Sequence, residues 1–410
     1  MVRSLNLSTR AESGGGSARL AWLPVAAALA GAGWASNQFT PMLLVYGRVL
    51  GLGTGTLEAM FGFYALGLVP GLLLAGPLSD ARGRRAVVVP AAGLSLVATL
   101  AQLAGGHMVA LLFAGRLLTG LSTGAVFGAG TAWLRESSRP DDATDTRAAR
   151  RAAVAMTTGF ALGPLASGLL AQWAPARTVL PFLPHVVLTA GVLLALRSVP
   201  ETVAAGRRRV RLSAPGLRSP RFRRVVAPMA PWVFAAPAIA FALLPSVVGA
   251  DRARDGIALT AGITTLCALA GVLIQPVARR LDAGARGNRA ATVGLVVLAA
   301  GLALGAVAAA DRATWMLAPT SLVLGCAYGL CLVAGLVEVQ RLADRRVLAA
   351  ATATYYTLTY LGFAAPFLLT LAAPLAGYPA LLAALAGLAL VTGGLVTRRS
   401  RRFEPYGRPA

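Results

Sequence analysis

The sequence predicts an all-α membrane protein with twelve transmembrane helices arranged as two pseudo-symmetric six-helix bundles. Composition is the first observation: of 410 residues, 57% are hydrophobic and only 13% are charged, and the mean hydropathy is +0.69. Soluble domains carry about 25% charged residues, so the chain is too apolar for that class. The second observation is a series of twelve long apolar runs, and the third is a basic segment that divides them six and six.

The apolar runs have the length that a membrane crossing requires, since a spanning helix needs about 20 mainly apolar residues. Predicted spans 1 to 12 cover residues 20–46, 57–77, 86–104, 108–133, 152–173, 179–196, 225–248, 256–278, 290–310, 313–339, 347–371 and 379–396. The polar segment before span 1 precedes an apolar run that is too long for the core of a cleaved signal peptide. We therefore expect this segment to be a cytoplasmic tail.

The arginines predict the orientation, because all 38 basic residues are arginines. With the N-terminus inside, 32 arginines lie in cytoplasmic segments, one lies within span 4, and only five lie in outer loops. The five outer arginines are Arg48, Arg177, Arg252, Arg254 and Arg312. Cytoplasmic loops are enriched in positive charge, so both termini are predicted to be cytoplasmic. The abundance of Ala and Gly is typical of a GC-rich bacterial genome, so we expect the inner membrane of a bacterium.

A net charge of +23 does not indicate a nucleic-acid partner here, because the arginines lie in short breaks between apolar runs rather than on one solvated face. The longest break, "RSVPETVAAGRRRVRLSAPGLRSPRFRR", contains nine arginines and one glutamate. We predict that this cytoplasmic linker contacts anionic lipid head groups of the inner leaflet.

The linker, residues 197–224, separates a predicted N-terminal bundle, 20–196, from a C-terminal bundle, 225–396, with cytoplasmic tails at 1–19 and 397–410. Loop 2–3 reads "GPLSDARGRR" and loop 8–9 reads "QPVARRLDAGARGNR", so Pro, Asp and closely spaced Arg and Gly recur in both halves. Matching loops indicate two parallel repeats related by an axis along the membrane normal. We expect the protein to be a monomer.

Loop 2–3 contains Gly76, Asp80, Gly83, Arg84 and Arg85 in close sequence. Glycines allow a tight turn, and an aspartate can cap a helix or pair with an arginine. An ordinary basic loop would supply the arginines but not this spacing of glycines and aspartate. We therefore predict a hinge and latch between spans 2 and 3.

Span 4 contains "RLLTGLSTG", in which Arg116 precedes Gly120 and Gly124. A charge within the bilayer costs at least about 2.5–3.5 kcal/mol unless it faces a cavity or a partner. At 1.5 Å per residue, Arg116 lies about 12 Å from the outer end of its helix, and Asn37 and Gln38 of span 1 lie at a similar depth. We expect these three groups to form an intramembrane substrate or proton site. The alternative is that Arg116 only braces helices through buried hydrogen bonds.

Span 5 contains "GFALGPLASGLL", in which small residues recur every four positions at Gly159, Gly163 and Ser167. This spacing produces a smooth helix face for close packing. Pro164 removes a backbone donor and bends the helix. Small-residue packing alone is the alternative, because Gly and Ala are frequent throughout the chain.

These three segments resemble motifs of the major facilitator superfamily, and the resemblance extends over residues 20–396 and favours the twelve-span drug:proton antiporter group. The resemblance implies that loop 2–3 belongs to a conformational switch, with charge contacts to a neighbouring helix. It also implies that span 5 accompanies export by antiport, with a proton gradient as the energy source. Gly168 stands alone where the family often has a glycine pair.

The proton carrier is not identified by the sequence, because span 1 has only amides where drug antiporters of this superfamily often have a carboxylate. Glu58, His185 and Glu338 are candidates, with the loop 2–3 aspartate and the span 4 arginine. Each has an alternative interpretation: Glu58 reaches the outer interface, His185 is a hydrogen-bonded packing residue, and Glu338 pairs with Arg341 or Arg345.

Aromatic residues lie on spans that would surround a central cavity. The candidates are Trp34, Phe39, Tyr64, Trp232, Tyr328, Tyr355, Tyr356 and Tyr360. With little fixed charge nearby, such a cavity suits a neutral or cationic amphipathic molecule. Packing against lipid or core is the alternative for each residue.

The sequence therefore predicts a secondary transporter that exports small, largely apolar or cationic molecules by proton antiport with alternating access. The alternative is a transporter of one specific metabolite, for uptake or export, without proton antiport. Two distant histidines and short outer loops argue against a membrane enzyme. A sensor or scaffold is not expected either, because the sequence contains no segment that resembles an additional soluble domain. Three cysteines without ligand-like spacing predict no metal site, and we expect no soluble cofactor.

Overall fold

A computed structural model describes residues 20–106, 108–138, 144–203, 219–283, 288–342 and 348–402. These residues are helical apart from short turns and connections, and they contain no β-strand. Both predicted tails, except for residues 397–402, and most of the predicted linker lie outside the described residues.

Six helices form the N-terminal half. Their bounds are Trp22–Asn37 and Met42–Leu50 for the broken helix α1, Thr54–Arg82 for α2, Arg85–Ala104 for α3, Val109–Ser137 for α4, Thr144–Trp173 for α5 and Leu180–Leu196 for α6. Span 1 was predicted as one continuous helix, whereas the structure places a turn between its two pieces. Pro41 lies in that turn and has no N–H to continue the helical hydrogen-bond ladder.

Six further helices form the C-terminal half. Their bounds are Phe222–Val247 for α7, Gly256–Asp282 for α8, Arg289–Asp311 for α9, Thr314–Leu342 for α10, 348–376 for α11 and 378–402 for α12. The helical stretch Ala365–Arg402 bends sharply at Gly377, whose φ of 70° separates α11 from α12. Each predicted span therefore contains a helix.

Most of these helices are long and apolar enough to cross a membrane. Within the described ranges, nine stretches meet this condition, and one of them, Ala351–Ser400, covers both α11 and α12. Helix α6 is shorter, and the break in α1 divides it into two short pieces. The chain is therefore a multi-pass membrane protein.

Glycines allow the closest helix crossings. A Cβ on Gly120 of α4 would lie 1.9 Å from the carbonyl oxygen of Tyr64 in α2, and a Cβ on Gly67 would lie 2.0 Å from that of Leu117. No other residue fits at these positions without moving a backbone, so α2 and α4 touch along their main chains. Gly329 of α10 approaches α8 in the same way.

The two halves meet along α2 with α11 and α5 with α8. We call the end of the molecule that carries Arg84 and the loop between α2 and α3 the loop 2–3 face, and the end that carries Arg48 the opposite face. These names are used below to locate each site.

Candidate functional site

Gly83 and Glu201 build the turn of loop 2–3. Gly83 has a φ of +101°, and a Cβ there would lie 2.4 Å from Glu201 Oε2. The Glu201 carboxylate accepts the backbone N–H groups of Arg84 at 2.8 Å and Arg85 at 3.0 Å, at the start of α3. Burial alone would raise the pKa of Glu201. The carboxylate also accepts the backbone N–H groups of the two residues that follow Glu201 in the chain, and all these hydrogen bonds together hold its pKa below the usual value. The Arg85 side chain is exposed.

Arg84 is the centre of a charged cluster on the loop 2–3 face, which we call the N-terminal cluster: Ser79, Asp80, Arg84, Glu136 and Thr202. Its guanidinium donates to Asp80 at 2.5 Å, to Ser79 at 2.7 Å and to Glu136 of α4 at 2.9 Å. Glu136 also accepts the Thr202 hydroxyl at 2.5 Å. Burial opposes the charge on Arg84, yet the two carboxylates raise its pKa above the usual value. The cluster joins α2, α4 and the chain after α6.

Glu136 and Glu201 were missed by the sequence reasoning. One signal was available: Glu136 follows Asp80 by 56 residues, and Glu338 follows Asp282 by the same number, so a carboxylate recurs at matching places in both halves. Gly76, by contrast, was predicted to matter, but a Cβ there would meet nothing within 4 Å.

A second charged cluster, the C-terminal cluster, lies at the corresponding ends of α8 and α10 and at the start of α7. Glu338 is buried and accepts a hydrogen bond from Arg221 Nε, while Arg341 Nη1 lies 3.8 Å away. Arg341 also donates to the backbone carbonyl of Asp282 at 3.0 Å. The sequence suggested Arg341 or Arg345 as the partner of Glu338. Arg221 is the nearer partner, and Arg345 lies outside the described residues.

Arg116 is fully buried in the N-terminal half. Its guanidinium donates to the carbonyl oxygens of Ser36 at 3.2 Å and Phe61 at 3.3 Å. Its Cζ lies 4.9, 5.7 and 4.8 Å from the ring centroids of Phe39, Phe61 and Tyr64, so aromatic faces take the place of a carboxylate partner. The Nε atom has no hydrogen-bond partner among the described residues.

The predicted meeting of Arg116 with Asn37 and Gln38 does not occur through their side chains. Asn37 donates to the carbonyl of Phe160 at 3.3 Å, and Gln38 donates to Thr99 at 3.5 Å. The rotation of α1 about its axis directs the Asn37 amide toward α5 and the Gln38 amide toward α3. The group of α1 that faces Arg116 is instead the backbone carbonyl of Ser36. The similar depth of the three residues in the membrane therefore does not bring their side chains into contact.

Glu58 is buried and does not reach an aqueous interface through an extended side chain. Its exposed fraction is 1%, and its Oε2 atom has no partner among the described residues. Gly55 and Gly62 lie on either side of it along α2, and both face α11. A Cβ placed on Gly55 would lie 3.8 Å from the Thr370 side chain, and one placed on Gly62 would lie 3.7 Å from the Phe363 carbonyl oxygen. Glu58 therefore lies on the side of α2 that packs against the other half.

His185 is fully enclosed among α1, α3 and α6. Its Nδ1 atom lies 2.8 Å from the Thr99 hydroxyl, and its Nε2 atom lies 3.2 Å from the Gly31 carbonyl and 3.0 Å from the Thr189 hydroxyl. Both ring nitrogens thus have partners. This arrangement fits the interpretation of His185 as a hydrogen-bonded packing residue.

The small residues of α5 pack against α1. A Cβ on Gly159 would lie 2.0 Å from the Ala30 carbonyl oxygen, and a Cβ on Gly163 would lie 2.6 Å from that of Trp34. The helix backbones therefore touch over two turns, and larger side chains would separate them.

The end of the same motif reaches across to the other half. Ser167 donates to the Gln38 carbonyl at 2.6 Å, and a Cβ on Gly168 would lie 2.3 Å from the Ala261 Cβ of α8. Pro164 lies inside α5 between these contacts. The single glycine at 168 thus faces the boundary between the halves.

Five rings from three helices meet between the halves, and we call them the interface aromatic cluster: Phe61, Tyr64, Phe234, Tyr360 and Phe363. Phe363 of α11 lies 5.3 Å from Phe61 and 5.8 Å from Tyr64, both of α2. Phe234 of α7 stacks on Tyr360 at 4.5 Å and on Phe363 at 5.3 Å. Two of its rings, Phe61 and Tyr64, also cover Arg116.

The other predicted cavity aromatics differ in role. The Tyr355 hydroxyl donates to two carbonyl groups of α10, which is a packing contact. Trp34 has a buried indole N–H without a partner among the described residues, and Trp232 is half-buried against the core. Tyr328 and Tyr356 adjoin the interface aromatic cluster through Phe234 and Tyr360.

Hydrogen bonds between the halves lie from mid-membrane to the opposite face. Arg48 donates to the carbonyls of Ala250 and Ala253, and Gln172 donates to that of Arg254 at 2.8 Å. Nearer the middle, Thr265 donates to the Ala161 carbonyl at 2.9 Å. Among the described residues, no hydrogen bond joins the halves at the loop 2–3 face, where the two charged clusters each stay within one half and its connecting segment.

Solved structures share this architecture. A POT family transporter in complex with 5-aminolevulinic acid has a TM-score of 0.74 and 12% identity, covering 93% of this chain and 96% of that one. A variant of the peptide transporter POT in complex with sulfate gives 0.76 and 16%, covering 94% and 96%. A variant of the nucleoside transporter NupG gives 0.69 and 12%, covering 92% and 98%. At these identities the likeness concerns the fold.

Sequence comparison identifies the family. No curated protein sequence matches this chain. Residues 25–366, however, match the Major Facilitator Superfamily, and this match covers most of the chain and both halves. The twelve helices, the two bundles and the matched sequence agree: the chain belongs to the Major Facilitator Superfamily and is a membrane transporter rather than an enzyme.

Proposed function

We propose that this transporter exports small, largely apolar molecules in exchange for protons, by alternating access of a site between its two halves. The interface aromatic cluster is the observation that supports this proposal most. It offers a broad apolar surface contributed by both halves, which a substrate would contact before the halves rock. Arg116 already occupies the faces of Phe61 and Tyr64, so we favour neutral over cationic substrates.

The orientation of the transporter is part of the proposal. The loop 2–3 face is assigned to the cytoplasm because the arginine-rich segments end there, and both termini then lie in the cytoplasm of a bacterium. The hydrogen bonds between the halves near the opposite face support an arrangement that is closed to the outside. The linker 197–224 would join two six-helix domains and contact anionic lipids.

Proton coupling is proposed from the α5 motif, whose small residues pack against α1 and approach α8. Each proton that moves down a 100 mV potential supplies about 2.3 kcal/mol. Glu58 is the favoured carrier, because it is buried and its Oε2 atom has no partner among the described residues. The protonation of such a carboxyl changes when it becomes hydrated. His185, with both nitrogens bonded, is less suitable.

The test of transport starts with a growth screen of a host expressing the protein against neutral and cationic toxic compounds. Everted vesicles energised by respiration are then given a compound that the screen identifies. We expect proton release from the vesicle lumen when the compound is added, and loss of its accumulation with an uncoupler. Accumulation that ignores the uncoupler would contradict antiport.

Loop 2–3 supplies a second test. Asp80→Asn removes one carboxylate from Arg84, so we expect slower transport with nearly unchanged equilibrium binding of the same compound. Loss of binding would argue against a role in the conformational change. Ser79→Ala is a matched control, since it removes a neutral partner of Arg84 and keeps the charges.

Transport of one specific anionic metabolite is the second candidate. The Nε–H group of Arg116 has no partner among the described residues, and no carboxylate lies within ion-pair distance in the described part of the chain. An organic anion would complete this site. Arg116→Ala would then abolish transport of the anion but leave that of neutral compounds; loss of both, with normal membrane insertion, would favour a general role of Arg116.

A further inference from the structure

We infer that the hydroxyl groups of Tyr328, Tyr356 and Tyr360 form a hydrogen-bonding subsite for the oxygen-bearing edge of a flat, neutral aromatic substrate. This inference rests on the proposed function and specifies its substrate class. It places the polar part of the substrate in the C-terminal half, away from Arg116.

Two of the tyrosines adjoin one phenylalanine, and the third adjoins Tyr360. Tyr360 stacks on Phe234 with a centroid distance of 4.5 Å, and Tyr328 of α10 lies 5.5 Å from the same ring. Tyr356 is one helical turn before Tyr360 on α11, and their centroids are 6.5 Å apart. Phe363 lies 5.7 Å from Tyr360 and 5.8 Å from Tyr64 of α2. Tyr360 therefore lies near the boundary with the N-terminal half.

The hydroxyl groups of these three tyrosines have no hydrogen-bond partner in the described part of the chain, and none of them is a fully enclosed atom. Two buried tyrosines, Tyr355 and Tyr64, behave differently. Tyr355 donates to the carbonyls of Cys331 and Leu332 at 3.2 and 3.3 Å, and Tyr64 bonds Ser36 at 2.9 Å.

Tyr360 is buried and Tyr328 and Tyr356 are half-buried, but all three hydroxyls remain accessible. A phenol hydroxyl that is neither enclosed nor bonded to the protein takes its partner from water or from a ligand, because an unpaired polar group is costly. The three hydroxyls thus indicate a place that water or substrate occupies. The rest of each tyrosine is well packed: Tyr360 is only 7% exposed, and Tyr328 lies against Gly271 of α8.

The surroundings define the class of ligand. The rings of Phe234, Tyr360 and Phe363 are nearly parallel, with interplanar angles of 13°, 28° and 16°, so they present flat apolar faces. Residues 225–247, 317–337 and 348–376 contain no charged residue. A flat aromatic ring with a carbonyl, hydroxyl or ether oxygen can stack on these rings and bond to the hydroxyls, and a fixed charge on the ligand would have no counterpart in these three C-terminal segments.

Two probes of similar shape test the subsite: coumarin, which has ring and carbonyl oxygens, and naphthalene, which has none. Binding is measured by equilibrium dialysis against nanodiscs with and without the full-length protein. We expect Tyr328→Phe, Tyr356→Phe and Tyr360→Phe each to weaken coumarin binding by about two- to tenfold, the effect of one hydrogen bond. Naphthalene binding and the Tm should stay unchanged, because no internal hydrogen bond is lost.

Tyr355→Phe is the matched control on the same helix. It removes internal hydrogen bonds, so it should lower the Tm and leave coumarin affinity unchanged. The inference is overturned if the wild type does not bind coumarin, if the three variants bind it as the wild type does, or if coumarin and naphthalene weaken equally. The proposed antiport fails separately, when tyrosine-dependent binding is present but vesicles show no uncoupler-sensitive flux.

Discussion

Glu136 in the N-terminal half and Glu338 in the C-terminal half end corresponding helices and approach arginines on the same face, but their surroundings differ. The Glu136 side chain is 25% exposed and shares Arg84 with Asp80, whose side chain is 59% exposed. The Glu338 side chain is 1% exposed and lies between Arg221 and Arg341. The carboxylates of the N-terminal cluster are partly exposed and share one arginine, whereas the Glu338 carboxylate is buried and adjoins two arginines.

Two carboxylates at corresponding positions of the two halves can therefore contribute differently to stability. A hydrated ion pair contributes little to stability, because water screens the charges and replaces lost partners. A buried carboxylate between arginines is different, since its removal takes the shared counter-charge from both arginines, whereas Arg84 keeps Asp80 when Glu136 is lost. The N-terminal cluster is thus suited to rearrangement, and the C-terminal cluster to holding α7, α8 and α10 together.

Glu338→Gln should cause the largest loss of stability. The amide keeps the size of the side chain but removes the buried charge beside Arg221 and Arg341. We expect the free energy of unfolding to fall by about 3–5 kcal/mol, as found when one partner of a buried pair is removed. The measurement is unfolding in mixed micelles titrated with SDS. A loss below about 1 kcal/mol would mean that the C-terminal cluster is as well hydrated as the N-terminal one.

Gly83→Ala should have the next largest effect. The φ of +101° is unfavourable for alanine, and the new Cβ would lie 2.4 Å from Glu201 Oε2. The ψ of 153° places Gly83 in a region that glycine almost alone adopts, so we expect a loss of about 1–3 kcal/mol from the backbone alone, with displacement of Glu201 in addition. Gly76→Ala is the matched control in the same loop, because a Cβ there meets nothing within 4 Å. Equal losses for the two variants would contradict the turn geometry.

Glu136→Gln should cost about 1 kcal/mol or less, since Arg84 keeps Asp80 and Ser79 as partners in a partly hydrated place. The same SDS titration measures it. The comparison between the clusters predicts that Glu136→Gln is at least threefold less costly than Glu338→Gln. A reversed order would show that burial does not decide the weight of these charges.

Glu201→Gln should give the smallest effect, with a characteristic pH dependence. The pKa of Glu201 lies below its usual value, so its carboxylate stabilises the fold above the normal range for glutamate, about 4.3. This stabilisation is lost as the pH falls through the lowered pKa. The Tm difference between the wild type and the variant should be constant near neutral pH and disappear in strongly acidic buffer. A difference that grows on acidification would contradict the assignment.

Much of the fold was predictable because apolar run length reports directly on membrane crossing. Each predicted span contains a helix, and the errors lie in continuity, as at the turn that divides α1 near Pro41. The candidate sites were less predictable. Depth along a helix suggested that Asn37 and Gln38 meet Arg116, but the rotation of α1 decides which group points at it. Glu58 was equally ambiguous, because a residue near a helix end is either hydrated or covered by a neighbouring helix.

The sequence by itself determined the all-helical membrane fold, the number of spans and the membership of a transporter superfamily. These features depend on composition and on local spacing, and both can be read directly from the linear sequence. The three-dimensional packing was needed to show that Arg221 pairs with Glu338 and that aromatic rings cover Arg116. It was also needed to show that the Tyr355 hydroxyl is bonded, whereas those of Tyr356 and Tyr360 have no partner among the described residues. Such contacts depend on helix rotation and on partners distant in the chain, and a linear pattern contains neither.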